Sequence, residues 1–236
     1  MVLGVIRQWW WRRGYKRFYA SPVVRENPYA MNAGTAERFE QLVNELQGML
    51  EASEDVQVLD LGGGNGRLSA RVFERRQRLV VMDFCRTAME AAPSGESSQT
   101  NARRFVVGDM KQPPFRAGSF TVLFTYSTLP HLASERQIQR IFEVWDPLLA
   151  QGGILYIGDI PERKAVPSIV ARALPRLASL SGLKYCVAIL MNNYFSRRKL
   201  AGHLAGLGYE VRCLDQASGR RFHRERFDIL ARKRQS

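Results

Sequence analysis

Three glycines at alternate positions, Gly62, Gly64 and Gly66, lie between an apolar run ending in Asp60 and a run with helical character. Glycine tolerates the dihedrals of a tight strand-to-helix turn, and its missing side chain lets a ligand approach the backbone. A helix N-terminus adds free N–H groups and partial positive charge, so the turn is expected to hold a nucleotide-like ligand. Asp83 closes the next apolar run, 23 positions after Asp60, where a carboxylate can accept both hydroxyls of a ribose. Gly108-Asp109-Met110 closes a third run and supplies an acid and an apolar side chain suited to an adenine amino group and ring face. A dinucleotide frame fails, because Gly-x-Gly-x-x-Gly meets Arg67 when started at Gly62 and Ser69 when started at Gly64. A P-loop fails too, since no Gly-Lys-Ser/Thr follows.

The elements that must position these residues are legible from periodicity. Short apolar runs at 56–60, 78–83, 104–108, 120–125 and 153–158 read as buried strands, and helical patterns over 35–50, 67–76, 87–92 and 134–149 separate them. That alternation predicts a doubly wound α/β fold. Residues 161–195, interrupted by Pro161, Pro167 and Pro175, read as a helical insertion on the substrate side. Ser196 is expected to cap a helix that Gly208 ends, with final strands at 209–214 and 226–231. The expected division is an N-terminal basic and aromatic helical lid over residues 1–34 and a catalytic domain over 35–236.

Composition bounds the class. The chain has 236 residues, enough to bury one sizeable core, and a formal net charge of +13. The charge sits at the ends: +6 over residues 1–25 and +5 over residues 216–236, leaving +2 between them. Basic termini suit an anionic partner. No apolar run reaches the roughly 18 residues needed to cross a bilayer, and no secretory leader is evident, so a cytoplasmic protein is expected. Cys85, Cys186 and Cys213 are odd in number and widely spaced, which points to neither a disulfide framework nor a zinc site. No His/Asp/Glu cluster has ligand spacing, so no metal is expected.

In their order, these motifs resemble those of class I S-adenosylmethionine-dependent methyltransferases. Val58-Leu-Asp-Leu-Gly-Gly-Gly-Asn-Gly66 is similar to the family's first motif, Asp83 to its second acid and Gly108-Asp-Met110 to its adenine-side motif, while Pro114-Phe115 and Gly118-Ser-Phe120 resemble the lead-in to the fourth strand. The resemblance covers about residues 30 to 160. It departs at Thr121, where Asp often stands, and at Gln151, where Pro is common. It implies a Rossmann-like, mostly parallel seven-stranded sheet that binds S-adenosylmethionine. The implied cofactor contacts are Asp60, Leu61, Gly62, Gly63, Gly64, Asn65, Gly66, Asp83, Phe84, Asp109, Met110 and Thr125, with Tyr29 reaching the carboxylate end.

Methyl transfer asks the protein mainly for placement, because the cofactor carries the reactive group. His131, six residues after Thr125, and Asp159, past the fifth strand, are the candidate bases, and Tyr194 is a candidate pocket residue. The acceptor class stays open at this level. A small molecule such as a secondary metabolite, glycan or quinone- or lipid-like compound is the leading expectation, since Gly158-Asp-Ile-Pro161 and Arg226-Phe-Asp-Ile-Leu230 resemble methyltransferases of surface-glycan and secondary-metabolite assembly. A tRNA methyltransferase is the alternative, carried by the basic termini and a distant resemblance to wobble-uridine enzymes. Against it, Thr125-Tyr-Ser-Thr128 lacks the Asn/Asp-Pro-Pro-aromatic signature of base-amino methylation. A non-catalytic cofactor-binding protein is a third reading. Residues 1–20, with Trp9-Trp10-Trp11 and their arginines, are expected to serve the acceptor or an anionic membrane surface, because every cofactor motif lies downstream.

Overall fold

The computed structural model describes residues 11, 13–21, 34–50, 56–74, 78–91, 103–132, 134–175, 179, 183, 186–187, 189, 191–220 and 222–235. Its centre is a seven-stranded sheet in the order β3-β2-β1-β4-β5-β7-β6. The strands are β1 (Gln57–Leu61), β2 (Arg78–Asp83), β3 (Arg104–Val107), β4 (Phe120–Tyr126), β5 (Leu149–Pro161), β6 (Tyr209–Asp215) and β7 (Arg226–Lys233). The first five pair in parallel, and β7 is antiparallel to both β5 and β6. The order reverses between β1 and β4, the switch point at which open α/β sheets form a ligand crevice beyond the strand ends.

Alternation along each strand explains why both faces must be covered. On β1, Val58 joins one core while Leu59 and Leu61 join the other; on β4, Val122 and Phe124 oppose Leu123; on β5, Ile154 and Tyr156 oppose Leu155 and Ile157. The first core is closed by helix α1 (Ala36–Met49), through Phe39, Leu42, Val43 and Leu46, and by α2 (Arg67–Val72). The hydroxyl of Thr35 caps α1 by accepting the Arg38 N–H at 3.3 Å. The opposite core is closed by α5 (Glu135–Trp145), whose Ile138, Ile141, Phe142 and Trp145 form one buried stripe, and by α7 (Arg197–Gly206). Two short helices, α3 (Arg86–Glu90) and α4 (Leu129–Leu132), occupy strand ends on the crevice side. Helix α6 (Val166–Ala173) lies in the region read as an insertion.

The expected strands and helices are present with shifted ends. Strand β5 is longer than its apolar run, because it continues past Gly158 to pair Ile160 and Pro161 with Phe227 and Arg226 of β7. Helix α2 stops at Val72, shorter than its sequence pattern. Among the described residues no helix is long and apolar enough to cross a membrane.

Candidate functional site

The glycine turn hangs on β2 by three hydrogen bonds. Gly62 and Gly63 donate their N–H groups to the Met82 carbonyl at 2.7 and 3.3 Å, and Gly64 donates to Oδ2 of Asp83 at 3.0 Å. The other oxygen of Asp83 accepts the Cys85 N–H at 2.8 Å. Asp83 therefore fixes the turn after β1 to the start of α3, and its remaining lone pairs face the crevice rim. Burial raises its carboxyl above the ordinary range, while hydrogen bonds from Cys85, Gly64 and Phe84 pull the other way.

Gly62 shows why no larger residue fits. Its φ is +77°, and a Cβ there would stand 2.6 Å from Cγ2 of Thr128 and 2.9 Å from Cε of Met110. Met110, 8% exposed, thus borders the turn, and its carbonyl accepts the indole N–H of buried Trp145 at 2.7 Å, tying the third-strand loop to α5. Asn65 accepts the Arg67 N–H at 3.2 Å and so starts α2, which Gly66 caps in a left-handed conformation. Asp109, half-buried, closes its own turn by accepting the Lys111 N–H at 3.0 Å.

Three of the expected cofactor residues are buried in the sheet. Asp60 is 3% exposed and sits behind Gly63, where burial raises its carboxyl to about 7. Thr125 is fully buried and donates its hydroxyl to the Leu61 carbonyl at 2.7 Å, joining the ends of β4 and β1, while also pairing with the Thr128 hydroxyl. Leu61 is wholly within the core. Phe84 follows Asp83 on the crevice side and meets the ring of Tyr15 edge-on at 6.3 Å. Tyr29 lies outside the described residues.

Residues 13–19 are helical and amphipathic in an uncommon sense. Trp11, Tyr15, Phe18 and Tyr19 turn inward, while Arg13, Lys16 and Arg17 are exposed. The Tyr19 hydroxyl rests against Gly64, in the space a Cβ would fill. Tyr15 stands between the two poles of the site, near Asp83 on one side and near Arg226 and Asp159 on the other. Trp11 donates its indole N–H to the Met191 carbonyl at 3.1 Å and meets the His131 ring at a tilt of 51°, with centroids 3.8 Å apart. Residues 1–20 were expected to serve the acceptor or an anionic membrane surface; in the structure Tyr19 of this segment touches the cofactor-side turn at Gly64. Aromatic residues at i, i+4 and i+8 were the available signal, obscured by the adjacent arginines.

The three candidate catalytic residues fall in different settings. His131, on α4, is enclosed; burial and the nearby Arg226 push its imidazole down to about 3, and Nδ1 is sealed from solvent with no hydrogen-bond partner among the described residues. Asp159 is held in an ion pair with Arg226, and its φ of +63° marks a strained backbone at the end of β5. Behind it, Asp228 accepts the Asp159 N–H at 2.9 Å, the Tyr156 hydroxyl at 2.6 Å, Gln216 Nε2 at 2.8 Å and Arg220 Nη1 at 2.5 Å. This network, centred on a residue 1% exposed, holds the strained corner in place, and no single motif in the sequence announced it. Tyr194 packs beside Ala165 and Ile169 and donates its hydroxyl to the Ile189 carbonyl at 3.2 Å. Among the described residues no group of three or more His, Cys, Asp or Glu side chains is arranged to hold a metal.

Residues 58–153, which run from β1 into β5, match the family model described as a methyltransferase domain. No curated protein matches the chain in sequence. Among solved structures, magnesium protoporphyrin IX methyltransferase from Synechocystis PCC 6803, solved with bound SAH, superposes with a TM-score of 0.61 at 14% identity, covering 82% of each chain. Geranyl diphosphate C-methyltransferase from Streptomyces coelicolor A3(2) gives 0.58 at 13% identity, over 84% of this chain and 80% of that one. The cyclase SpnF gives 0.62 at 15% identity, over 87% and 86%.

Proposed function

The chain carries a methyltransferase domain on the fold of the class I, S-adenosylmethionine-dependent enzymes, and from that premise we propose that it transfers a methyl group from S-adenosylmethionine to a small-molecule acceptor. The observation that carries the reading is the Asp83–Gly64 bond. It places a carboxylate and a side-chain-free turn at adjoining strand ends at the sheet's switch point, the cradle an adenosyl group requires. The residues present fit that group. Asp83 has acceptor capacity left for ribose hydroxyls, Met110 offers an apolar wall beside Asp109, and the space beside Gly64 is taken by the Tyr19 hydroxyl, which an adenosyl group would displace. Phe84 extends the cradle beyond Asp83.

When bound, S-adenosylmethionine supplies an electrophilic methyl on its sulfonium. The chain's part is to orient the acceptor, exclude water and manage one proton. His131 is kept neutral by burial and Arg226, so it accepts a hydrogen bond from the acceptor hydroxyl and fixes its direction; the proton that methylation displaces passes to its imidazole and on to solvent as the product leaves. Asp159, committed to Arg226, shapes the far wall. The small-molecule reading is supported by the rings of Trp11 and Tyr15 lying against buried His131, and by the substrates named for the two methyltransferases of like fold. That SpnF, a cyclase, shares the fold means the reaction must be read from turnover and not from shape. Incubation with methyl-labelled cofactor and separated metabolite, lipid and RNA fractions tests the proposal. Label transferred to a small organic molecule is the expected result. Label confined to RNA, falling steeply with salt, would replace it with the nucleic-acid reading, and no transfer to any fraction would leave a binding protein.

A further inference from the structure

Resting on that reading, we propose that the acceptor is a flat, hydroxylated aromatic molecule, and that the Trp11 indole is its stand-in, lying against His131 at a tilt of 51° where the acceptor ring belongs. A wall of rings leads to the spot. Phe84, beside the ribose-side acid, meets Tyr15 at 6.3 Å; Tyr15 meets Trp11 at 6.0 Å and His131 at 5.4 Å; Trp11 and His131 stand 3.8 Å apart. At that last separation no molecule fits between the two rings, so a planar ligand must take the place of one of them.

His131 cannot yield. It sits on α4 between Pro130 and Leu132, next to Leu129, which is 1% exposed in the main core, and the Pro130 carbonyl is held by both the backbone N–H and the side chain of Asn193 at 3.1 and 2.9 Å. Trp11 belongs to a segment laid over the site from the N-terminal side. It also leaves the contact chemically incomplete, because the tilted indole offers no hydrogen bond to the imidazole beside it, whose Nδ1 is buried with no partner among the described residues. A buried polar atom without a partner is destabilising, and a ligand that supplies the missing bond recovers that free energy. A ring in the tilted position of the indole, with an edge hydroxyl that reaches Nδ1 in the plane of the imidazole, does so. The charge of the surroundings agrees with a neutral ligand, since Arg226 is already neutralised by Asp159. With Trp11 displaced, contact with the rings of His131 and Tyr15 favours a planar unsaturated body over a flexible chain or a sugar.

The test uses the full chain saturated with S-adenosylhomocysteine, whose binding is measured first. Three ligands are then titrated by calorimetry: 2-naphthol; 2-methoxynaphthalene, which lacks the hydrogen-bond donor; and trans-2-decalol, which lacks planarity. The inference expects 2-naphthol to bind at least ten-fold more tightly than either. In His131→Phe the preference of 2-naphthol over 2-methoxynaphthalene should vanish, and in Trp11→Ala the affinity for 2-naphthol should rise several-fold, because no stand-in must be displaced. Equal affinities for the three ligands in the unaltered protein would overturn the inference whatever the variants do. So would a hydroxyl preference that survives in folded His131→Phe, or a loss of 2-naphthol binding in folded Trp11→Ala. If S-adenosylhomocysteine itself fails to bind, the underlying reading falls; if it binds and the ligand preferences are absent, only this inference falls.

Discussion

Asp83 and Gly64 are joined by a hydrogen bond of 3.0 Å from the Gly64 N–H to Oδ2, while Oδ1 of the same carboxylate takes the Cys85 N–H at 2.8 Å. One side chain thus sets the turn after β1, the exit from β2 and the polar rim between them. Neutralising it without changing its size should be costly, because an amide offers one acceptor atom where two are needed. Asp83→Asn is expected to weaken S-adenosylhomocysteine binding by about 1.5–3 kcal/mol, the scale of a lost hydrogen bond to a charged group. Calorimetry checks this, and an unchanged affinity would remove Asp83 from the site.

Asp60 and His131 are expected to pull stability in opposite directions with pH. Asp60 rises from 3.8 to about 7 on folding, so the folded state binds the extra proton between those values; its contribution is complete below about 4 and is lost as pH rises through 7. His131 falls from 6.5 to about 3, so the unfolded state holds the extra proton there, and stability is lost as pH drops below 6.5. Each alone gives a slope of up to about 1.4 kcal/mol per pH unit. Relative to the unaltered protein, Asp60→Asn should therefore gain stability, and His131→Phe lose it, as pH rises from 4 to 6.5. Urea titrations at several pH values decide the signs. Parallel curves for all three proteins would mean neither group is shifted as described.

Gly64 separates two costs. A side chain there meets the Tyr19 hydroxyl, and φ is +59°, a conformation costing an L-residue about 1–3 kcal/mol. Gly64→Ala should destabilise the protein and undock residues 13–19, so that trypsin cuts faster at Arg13, Lys16 and Arg17, whose side chains are exposed but whose backbone is held in a helix. Adding Tyr19→Ala removes the collision and leaves the dihedral strain, so the double variant should recover only part of the loss. Full recovery would show that the turn does not require glycine there.

Asp228 anchors a buried charge network whose other members cannot regain water. Removing it strands Arg220, whose side chain is 7% exposed and is otherwise paired with Glu45 at 2.9 Å. Asp228→Ala should cost about 3–5 kcal/mol, or roughly 6–20 °C of melting temperature at this chain length. A shift within 2 °C measured by calorimetry would contradict the assignment of Asp228 as the corner's support.

The sheet was legible in the sequence because strands buried on both faces must be apolar throughout, as Val58, Leu59 and Leu61 are, and because glycines mark the turn they permit. Asp83 was legible because strand-end acids follow from the topology. What escaped depends on contacts distant in the chain. Nothing local to Tyr15 or Tyr19 says that their helix folds back over β1 and β2, and Asp228 reads as an ordinary strand residue until β7 pairs with β5 and meets Arg220. Asp60 and Thr125 occupy the expected strand ends, yet their side chains face inward, a matter of one residue's pleat that spacing alone does not fix.

The central claim is that the crevice at the ends of β1 and β2 is an adenosyl-cofactor site. Titrating the folded full chain with S-adenosylhomocysteine in a calorimeter tests it most directly, alongside Asp83→Asn as the internal control. The account predicts saturable one-to-one binding that the variant weakens by roughly ten-fold or more. A folded protein that gives no binding heat, and no thermal stabilisation, with S-adenosylhomocysteine or S-adenosylmethionine at about millimolar concentration would contradict it.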